Sequence, residues 1–449
     1  LQPAACTPRA STLVDASHAA EAAAAAFHGW RDTPPGERRR LLLAAAEQLE
    51  QRSEQFIAAM NAETGATPHW AGFNVHLGAE ILREAAALTT QIEGQVIPSN
   101  VPGNLAMATR QGAGVVLGMA PWTAPIILAV RAIATPLACG NTVILKGSEL
   151  SPATQGLIIE SLAAAGFPAG VVNYLTCAPQ DAPAFVETLI AHPGVRRINF
   201  TGSTPVGRII AQTCAKYLKP VVLELGGKAP LLVLDDADIS QAAAGATFGA
   251  FANAGQICMS TERIIVQEAI AEPFISALVK RVNALPDGLL GSVVEMKTVE
   301  RCNALIDDAL AKGATLLTGG KADSTRMTAT LLDGVTPAMR IWNEESFGPV
   351  KAVIRARDEQ DAVRIANDSA YGLSSAVYSR DTARAWNVAQ NLQTGICHIN
   401  GPTVHDEAQM PFGGTKDSGY GRFGGRAGIH EFTELRWITM QTQPRELPF

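Results

Sequence analysis

Short runs of β-branched and aliphatic residues alternate with helix-forming stretches through most of this 449-residue chain. The first block opens with a strand pattern at 115–119, a helix pattern at 125–138 and a strand pattern at 141–146, and continues to about residue 225. A second block of the same kind begins near residue 230 and runs to about residue 367. Such alternation predicts right-handed βαβ units on parallel sheets, and hence an α/β fold.

The chain is too long for a single hydrophobic core and is expected to divide into two or three domains. The two alternating blocks meet at Gly226 and Gly227, which predicts a domain boundary there. Residues 15–87 are rich in Ala and Leu at helical spacing, whereas residues 91–110 and 433–442 have the composition of extended structure.

Composition argues against several classes of protein. The net charge of −6 is dispersed, so the chain carries neither a nucleic-acid footprint nor a membrane-binding patch. The longest apolar run, residues 125–138, is interrupted by Arg131 and Pro136 and is too short to cross a membrane. The seven cysteines include no CxxC pair, so a cytoplasmic protein without disulfides or a metal site is expected. The start at Leu1 shows neither an initiator Met nor a signal-peptide pattern, which indicates that the natural N-terminus is missing.

Cys258 is a candidate nucleophile. It lies in a loop of small and polar residues between a predicted helix and a predicted strand, and Glu224 opens a glycine-rich turn, Glu-Leu-Gly-Gly-Lys. A soft nucleophile and a carboxylate base on separate loops indicate covalent catalysis on an electrophilic carbon. The alternative is that Cys258, like most cysteines, is a small buried hydrophobic residue.

Two further stretches are candidates for nucleotide binding. In residues 199–207 a predicted strand turns at Gly202 into a helix, with Thr204 as the expected N-cap. Free backbone N–H groups there suit a pyrophosphate, although a well-capped turn without a ligand explains the pattern equally well. Lys146 and Glu149 follow another strand, where they either bind ribose hydroxyls or form a solvated ion pair.

Seven stretches together resemble motifs of the aldehyde dehydrogenase superfamily, in the same order and over nearly the whole chain. They are Pro-Trp-Thr-Ala-Pro at 121–125, Leu-Lys-Gly-Ser-Glu-Leu-Ser-Pro at 145–152, Phe-Thr-Gly-Ser-Thr at 200–204, Glu-Leu-Gly-Gly-Lys at 224–228, Gly-Gln-Ile-Cys at 255–258, Glu-Ser-Phe-Gly-Pro at 345–349 and Pro-Phe-Gly-Gly at 411–414. The resemblance implies a Rossmann-like NAD-binding domain (1–90 and 111–226), an α/β catalytic domain (227–432), and a small oligomerisation β-extension (91–110 and 433–449) that builds a homodimer or a dimer of dimers.

The resemblance also implies roles for individual residues. Cys258 corresponds to the nucleophile and Glu224 to the general base. The residues that correspond to NAD contacts are Trp122, Lys146, Glu149, Gly202, Ser203, Glu345 and Phe347. In the implied reaction a low-pKa thiolate attacks an aldehyde, hydride leaves to NAD, and water activated by the glutamate hydrolyses the thioester to the acid.

One position departs from the superfamily pattern. The Asn of the Pro-Trp-Asn-x-Pro motif, whose side chain helps to bind the oxyanion, is replaced by Thr123. A threonine hydroxyl is shorter than an amide, and the loss of one oxyanion donor typically lowers a rate about 10²–10³-fold. Thr123 is therefore a compensated donor, an engineered change or a sign of weak activity.

The nearest resemblance within the superfamily is to aromatic aldehyde dehydrogenases of the salicylaldehyde and benzaldehyde type. A small Ala124 leaves room for a flat ring, Trp70 forms one wall, and Arg131 meets a hydroxyl or anionic group on that ring. The alternatives are core packing for Trp70 and a structural ion pair for Arg131. A carboxylate at Glu149 repels a 2′-phosphate, which favours NAD over NADP.

Two rival functions stay open. A CoA-acylating enzyme would resolve the thioester with a thiol instead of water, but the retention of Glu224 argues against it. A catalytically impaired relative with a binding or structural role is suggested by Thr123 alone. His398 and His405 fall near the proposed site but lack metal-ligand spacing, so they are interpreted as structural.

Overall fold

The computed structural model describes residues 10–449, and four helices open this part of the chain. The first elements are α1 (Leu13–Arg31), α2 (Pro35–Gln51), α3 (Ser53–Thr64), α4 (Pro68–Leu88), β1 (Gln95–Ile97) and β2 (Asn104–Gly112). Leu42, Leu49 and Leu82, on the inward faces of these helices, join one buried cluster with the apolar helix at 125–138. No helix within the described residues is both long and apolar enough to cross a membrane.

The first βαβ block forms a parallel sheet. Its elements are β3 (Val115–Met119), α5 (Pro125–Ala138), β4 (Thr142–Lys146), α6 (Pro152–Ala164), β5 (Val172–Leu175), α7 (Ala182–Ala191), β6 (Val195–Thr201), α8 (Thr204–Lys216) and β7 (Val221–Glu224). The five strands lie in the order β7-β6-β3-β4-β5 and all run parallel. Every residue of α5 is buried, which explains its uninterrupted apolar sequence.

The second block forms a seven-stranded sheet in the order β10-β11-β12-β9-β8-β14-β15. Its elements are β8 (Ala229–Val233), α9 (Ile239–Phe251), β9 (Thr261–Gln267), α10 (Ala271–Asn283), α11 (Met296–Ala311), β10 (Thr315–Thr318), β11 (Thr330–Asp333), β12 (Val350–Ala356), α12 (Glu359–Asn367), β13 (Tyr371–Gly372), β14 (Ser374–Tyr378), α13 (Thr382–Gln390) and β15 (Ile396–Ile399). Neighbouring strands are parallel except β10 and β11, which are antiparallel.

The end of the chain returns to the first sheet. Its elements are β16 (Thr415–Lys416), β17 (Gly419–Tyr420), α14 (Gly425–Glu431) and β18 (Thr433–Gln441). β17 pairs antiparallel with β7, placing Gly419 opposite Glu224, and Ile429 of α14 is buried in the same cluster as α5. Within the expected catalytic domain, 227–432, Gly419 and Tyr420 therefore extend the first sheet, and the domain bounds stay a prediction.

A separate three-stranded sheet has the order β1-β2-β18. β18 pairs antiparallel with β2 over nine positions, from Thr433 opposite Gly112 to Gln441 opposite Asn104. The two segments expected to form the β-extension are therefore paired, although they lie more than 300 residues apart. This pairing places β18 beside a strand from the first quarter of the chain.

Candidate active site

Cys258 lies in the turn that links α9 to β9. Three left-handed residues shape this turn: Asn253 (φ 49°), Ala254 (φ 55°) and Gly255 (φ 74°). Gly255 has to be glycine, because a Cβ atom there would lie 2.3 Å from the carbonyl oxygen of Gly348. The left-handed conformation is unfavourable for Asn and Ala, so contacts with the surrounding structure must stabilise it. Residues in such conformations are concentrated at functional sites.

Glu224 ends β7, and the Gly226–Gly227 turn that follows lets it approach the thiol of Cys258. A Cβ atom at Gly227 would lie 2.4 Å from the carbonyl oxygen of Cys258, so the two loops approach this closely only with glycine. Burial raises the pKa of Glu224 to about 7, opposed by its interaction with the Cys258 thiol. Neither carboxylate oxygen has a conventional hydrogen-bond donor among residues 10–449. A buried carboxyl group with this pKa suits a general base near neutral pH.

The Cys258 thiol does not have the low pKa expected from the sequence. Burial raises its pKa well above the usual value, and the Glu224 carboxylate adds to this rise. Arg131 acts in the opposite direction without cancelling these effects. The thiol is therefore protonated at neutral pH in this state, and the adjacent Glu224 carboxylate is placed to take its proton.

Thr123 lines the same cavity as Cys258. Its carbonyl oxygen accepts hydrogen bonds from the indole N–H of Trp70 at 3.3 Å and from the side-chain amide of Asn253 at 3.4 Å. These two donors fix the backbone just before α5 from two different elements. The backbone of Thr123 is therefore fixed at the wall of the cavity that Cys258 lines.

A cavity of about 670 Å³ opens from Cys258. All three residues predicted to bind the substrate, Trp70, Ala124 and Arg131, line it. Its walls are largely apolar, and its aromatic residues are Trp70, Phe73, Phe248, Phe251 and Phe412. A cavity of this size and lining suits a ligand with one aromatic ring.

Arg131 is paired within the protein. Its guanidinium forms an ion pair with Asp406, and each side chain is only 8% exposed. The same guanidinium lies over the ring of Phe412, 4.3 Å from the ring centroid. The structural ion pair that the sequence allowed as an alternative is therefore present, and the cavity wall carries a guanidinium whose charge Asp406 already balances.

His398 and His405 pack against each other, with ring centroids 5.0 Å apart. Burial and the neighbouring His405 lower the pKa of His398 to about 4, so this ring is neutral at physiological pH. His405 lines the cavity, and its Nε2 lies 2.9 Å from the carboxylate of Glu407. Among residues 10–449, no cluster of His, Cys, Asp or Glu side chains is arranged to hold a metal ion.

Lys146 and Glu149 lie at the carboxyl edge of the first sheet. Lys146 ends β4, and its Nζ lies 3.8 Å from the Glu149 carboxylate. The Glu149 side chain is 41% exposed, so the ion pair is loose and partly solvated. Both groups therefore stay available for the hydroxyls of a ribose.

Gly202 and Ser203 lie where β6 passes into α8. The N-cap is Ser203 and not the predicted Thr204, whose hydroxyl instead donates a hydrogen bond to the carbonyl oxygen of Asp417 at 3.0 Å. No side chain within residues 10–449 caps the start of α8. Its first N–H groups are therefore open at the carboxyl edge of a parallel sheet, where a pyrophosphate binds in dinucleotide-binding folds.

Glu345 and Phe347 of the second block meet Gly227 and Trp122, and the region where these four residues meet is called the cleft. The Glu345 carboxylate accepts a hydrogen bond from the backbone N–H of Gly227 at 2.9 Å, and burial raises the pKa of Glu345 to about 7. Phe347 adopts a left-handed conformation (φ 45°). Its ring meets Trp122 edge to face, with centroids 6.0 Å apart. The cleft is thus bounded by side chains from both sheets.

The sequence did not point to Asn253, Asp406 or Phe412 as parts of this site. Asn253 and Asp406 lie in irregular segments, and their partners Thr123 and Arg131 lie far away along the chain, so no spacing rule connects them. Phe412 belongs to the Pro-Phe-Gly-Gly stretch, and this motif was the one sequence feature that could have pointed to a role for Phe412 in the site. Only the tertiary structure brings these residues to the cavity wall.

Comparison with known proteins decides which family has this arrangement. Residues 2–438 match the aldehyde dehydrogenase family. The chain belongs to the aldehyde dehydrogenase family. It is therefore an oxidoreductase, and its two α/β blocks have the mixed α/β fold with parallel sheets of that family.

This aldehyde dehydrogenase has relatives named for aromatic substrates. It is 58% identical to vanillin dehydrogenase from Pseudomonas fluorescens over 446 residues, which cover 98% of this chain and 92% of that protein. The crystal structure of salicylaldehyde dehydrogenase from Pseudomonas putida G7, complexed with salicylaldehyde, matches with a TM-score of 0.96 and 51% identity over 98% of this chain and 93% of that one. Benzaldehyde dehydrogenase (NAD+) from Pseudomonas putida is 37% identical over 444 residues, 97% of this chain and 90% of that protein.

Proposed function

We propose that this aldehyde dehydrogenase uses NAD to oxidise an aromatic aldehyde of the vanillin, salicylaldehyde or benzaldehyde type to its carboxylic acid. The observation that carries the proposal is the aromatic-lined cavity of about 670 Å³ that ends at Cys258. The small Ala124 leaves space for a ring beside the thiol, and Trp70 offers a flat apolar surface for it. The names of the three relatives support the same class of substrate.

NAD fits the groups at the carboxyl edge of the first sheet. The uncapped start of α8 suits its pyrophosphate, and Lys146 and Glu149 suit its adenosine ribose. The carboxylate of Glu149 disfavours a 2′-phosphate, so we propose NAD over NADP. Glu345 and Phe347 suit the ribose at the nicotinamide end, and bound NAD supplies the hydride acceptor.

The side chains of the protein then have separate tasks. Cys258 supplies the sulfur that bonds to the aldehyde carbon, while Glu224 takes the thiol proton. The Thr123 hydroxyl and the backbone N–H of Cys258 donate hydrogen bonds to the oxyanion. Hydride transfer to NAD would leave a thioester on Cys258, and Glu224 returns to its ionised form by releasing the thiol proton to solvent. Its carboxylate then removes a proton from the attacking water, the carbon–sulfur bond breaks, and the acid leaves with the Cys258 sulfur as the leaving group.

The β1-β2-β18 sheet is the proposed interface of a homodimer or a dimer of dimers. Val96 and Met440 on one face of this sheet are 71% and 53% exposed, and Trp437 on the other face is 77% exposed. Apolar side chains with this exposure are typical of a protein interface. A cytoplasmic location is proposed because the six cysteines within residues 10–449 are all free.

The test is steady-state kinetics with NAD and a panel of aldehydes, followed by NADH absorbance. The kcat/KM values for benzaldehyde, salicylaldehyde and vanillin are expected to exceed that for propanal by about 10²-fold, because propanal leaves most of the apolar cavity unfilled. A preference for propanal would reject the aromatic assignment. NADH formation that required CoA would support the acyl-transfer alternative instead.

A further inference from the structure

Gln155 joins two turns that flank the cleft. It is fully buried in the first turns of α6. Its Oε1 accepts a hydrogen bond from the backbone N–H of Ser148 at 2.7 Å, and its Nε2 donates one to the carbonyl oxygen of Pro121 at 3.1 Å. Longer contacts of 3.5 Å reach the carbonyl oxygens of Ala120 and Pro125. One side-chain amide therefore holds the backbone of both turns.

The two turns have different tasks in the proposed function. Of the proposed ribose contacts, Lys146 ends β4 and Glu149 lies in the turn after it. The turn after β3 carries Thr123, the proposed oxyanion donor. The pairing of β3 with β4 ends where Met119 lies opposite Lys146. One more backbone hydrogen bond, from the N–H of Ala120 to the carbonyl oxygen of Lys146 at 3.3 Å, extends this pairing. Beyond it, the Gln155 side chain bridges the two turns.

Gln155 is itself held in place. The Glu63 carboxylate accepts hydrogen bonds from the backbone N–H groups of Ala153 and Thr154 at 2.7 and 2.9 Å, which fixes the start of α6. A Cβ atom at Gly147 would lie 2.7 Å from Gln155 Oε1, so the ribose turn packs directly on the amide. Because this amide is buried, breaking either of its hydrogen bonds leaves a backbone group unpaired away from water.

We infer that Gln155 is a positioning residue that couples the binding of NAD to the placement of the oxyanion donor. Its Oε1 fixes the ribose turn through Ser148, and its Nε2 fixes the Thr123 turn through Pro121. The inference rests on the proposed function, from which it takes the tasks of the two turns. Loss of the Nε2 hydrogen bond alone should therefore lower kcat, whereas loss of both the Oε1 and the Nε2 hydrogen bonds should also weaken NAD binding.

Two substitutions separate these effects. Gln155→Met keeps the length of the side chain and removes both hydrogen bonds, so the NAD dissociation constant measured by calorimetry should rise about 10-fold and kcat per active site should fall about 10-fold. Gln155→Glu, ionised at alkaline pH, keeps the acceptor and removes the donor. It should lower kcat about 10-fold while its NAD dissociation constant stays within about 3-fold of that of the unaltered protein.

Asn173→Leu is the matched control. The Asn173 amide also bridges two backbone groups of the same sheet, the carbonyl oxygens of Val143 at 3.2 Å and Gly170 at 2.8 Å, but it contacts neither turn. This variant should have a lower urea midpoint, with kcat per active site and the NAD dissociation constant unchanged. Equal changes in Asn173→Leu and Gln155→Met would show a general loss of packing and overturn the inference.

The remaining outcomes also decide the question. If Gln155→Met binds NAD and turns over substrate like the unaltered protein, the inference is wrong while the proposed function stands. If the unaltered protein binds NAD but oxidises no aromatic aldehyde, the proposed substrate class fails. The NAD dissociation constants of the Gln155 variants then still test whether Gln155 positions the ribose turn. If the unaltered protein does not bind NAD, both are wrong.

Discussion

The carbonyl oxygen of Thr123 accepts a hydrogen bond from the indole N–H of Trp70 at 3.3 Å. Trp70 also forms a wall of the cavity, so one side chain borders the proposed space for the substrate ring and fixes the backbone near Cys258. Asn253, from the turn that carries Cys258, adds a second hydrogen bond to the same oxygen at 3.4 Å. The Thr123 backbone is thus held from two sides, and the role of its hydroxyl as oxyanion donor stays a proposal.

Thr123→Val tests this interpretation. Valine has the same shape as threonine but has no hydroxyl, so kcat is expected to fall about 10²-fold with little change in the KM for the aldehyde. Steady-state kinetics with benzaldehyde and saturating NAD measures the effect. Thr123→Ser keeps the hydroxyl and should retain most of the rate. Full activity in Thr123→Val would remove Thr123 from the oxyanion site.

The raised pKa of Glu224 predicts how turnover depends on pH. Glu224 must be ionised to take a proton from water, and its pKa is about 7, so kcat should fall as the pH drops through about 7 and level off above it. Glu224→Gln should lower kcat by about 10²–10⁴-fold and remove this acidic limb. A glutamine variant with the unaltered pH profile would show that another group sets it.

The buried pair of Arg131 and Asp406 predicts an asymmetric loss of stability. Asp406→Asn leaves the guanidinium buried without a counter-charge, so the free energy of unfolding should fall by about 3–5 kcal/mol. The double variant Arg131→Met with Asp406→Leu removes both charges and should be less destabilised than Asp406→Asn. Urea unfolding compares the three proteins, and an Asp406→Asn variant as stable as the unaltered protein would contradict the account.

Trp437 predicts the oligomeric state. Its side chain is 77% exposed on β18, and Trp437→Asp should convert the proposed dimer into monomers. Trp386, 59% exposed on α13 and outside the β-extension, provides the control, since Trp386→Asp should leave the mass unchanged. Size-exclusion chromatography with light scattering reads the result. An unaltered protein that runs as a monomer would reject the interface.

Local sequence patterns predicted those helices and strands whose own residues show the capping, the periodicity or the apolar run of that structure. α5 (Pro125–Ala138) begins and ends at the predicted residues, because a proline at its first position and an apolar run mark it. β14 (Ser374–Tyr378) was not predicted. It opens with two serines, and its burial comes from pairing with β8 on one side and β15 on the other. That environment is tertiary, so no window of sequence reveals it.

The same limit applied to the candidate site. The motifs pointed to Cys258 and Glu224 because a nucleophile and a base need particular residue types. The raised pKa of Cys258 was not predictable, since burial and the approach of Glu224 cause it. The partner of Arg131 was not predictable either, because Asp406 lies 275 residues further along the chain. The catalytic and cofactor roles of these residues stay predictions until they are measured.

The central claim is that Cys258 carries the acyl group of an oxidised aromatic aldehyde. Intact-protein mass spectrometry of the unaltered protein, acid-quenched during turnover with NAD and benzaldehyde, tests it most directly, because the acyl group forms on Cys258 before hydrolysis. The account predicts a benzoyl adduct that maps to Cys258 and appears together with NADH, and neither signal in Cys258→Ala. NADH formed without an adduct, an adduct on another residue, or turnover that survives Cys258→Ala would contradict it.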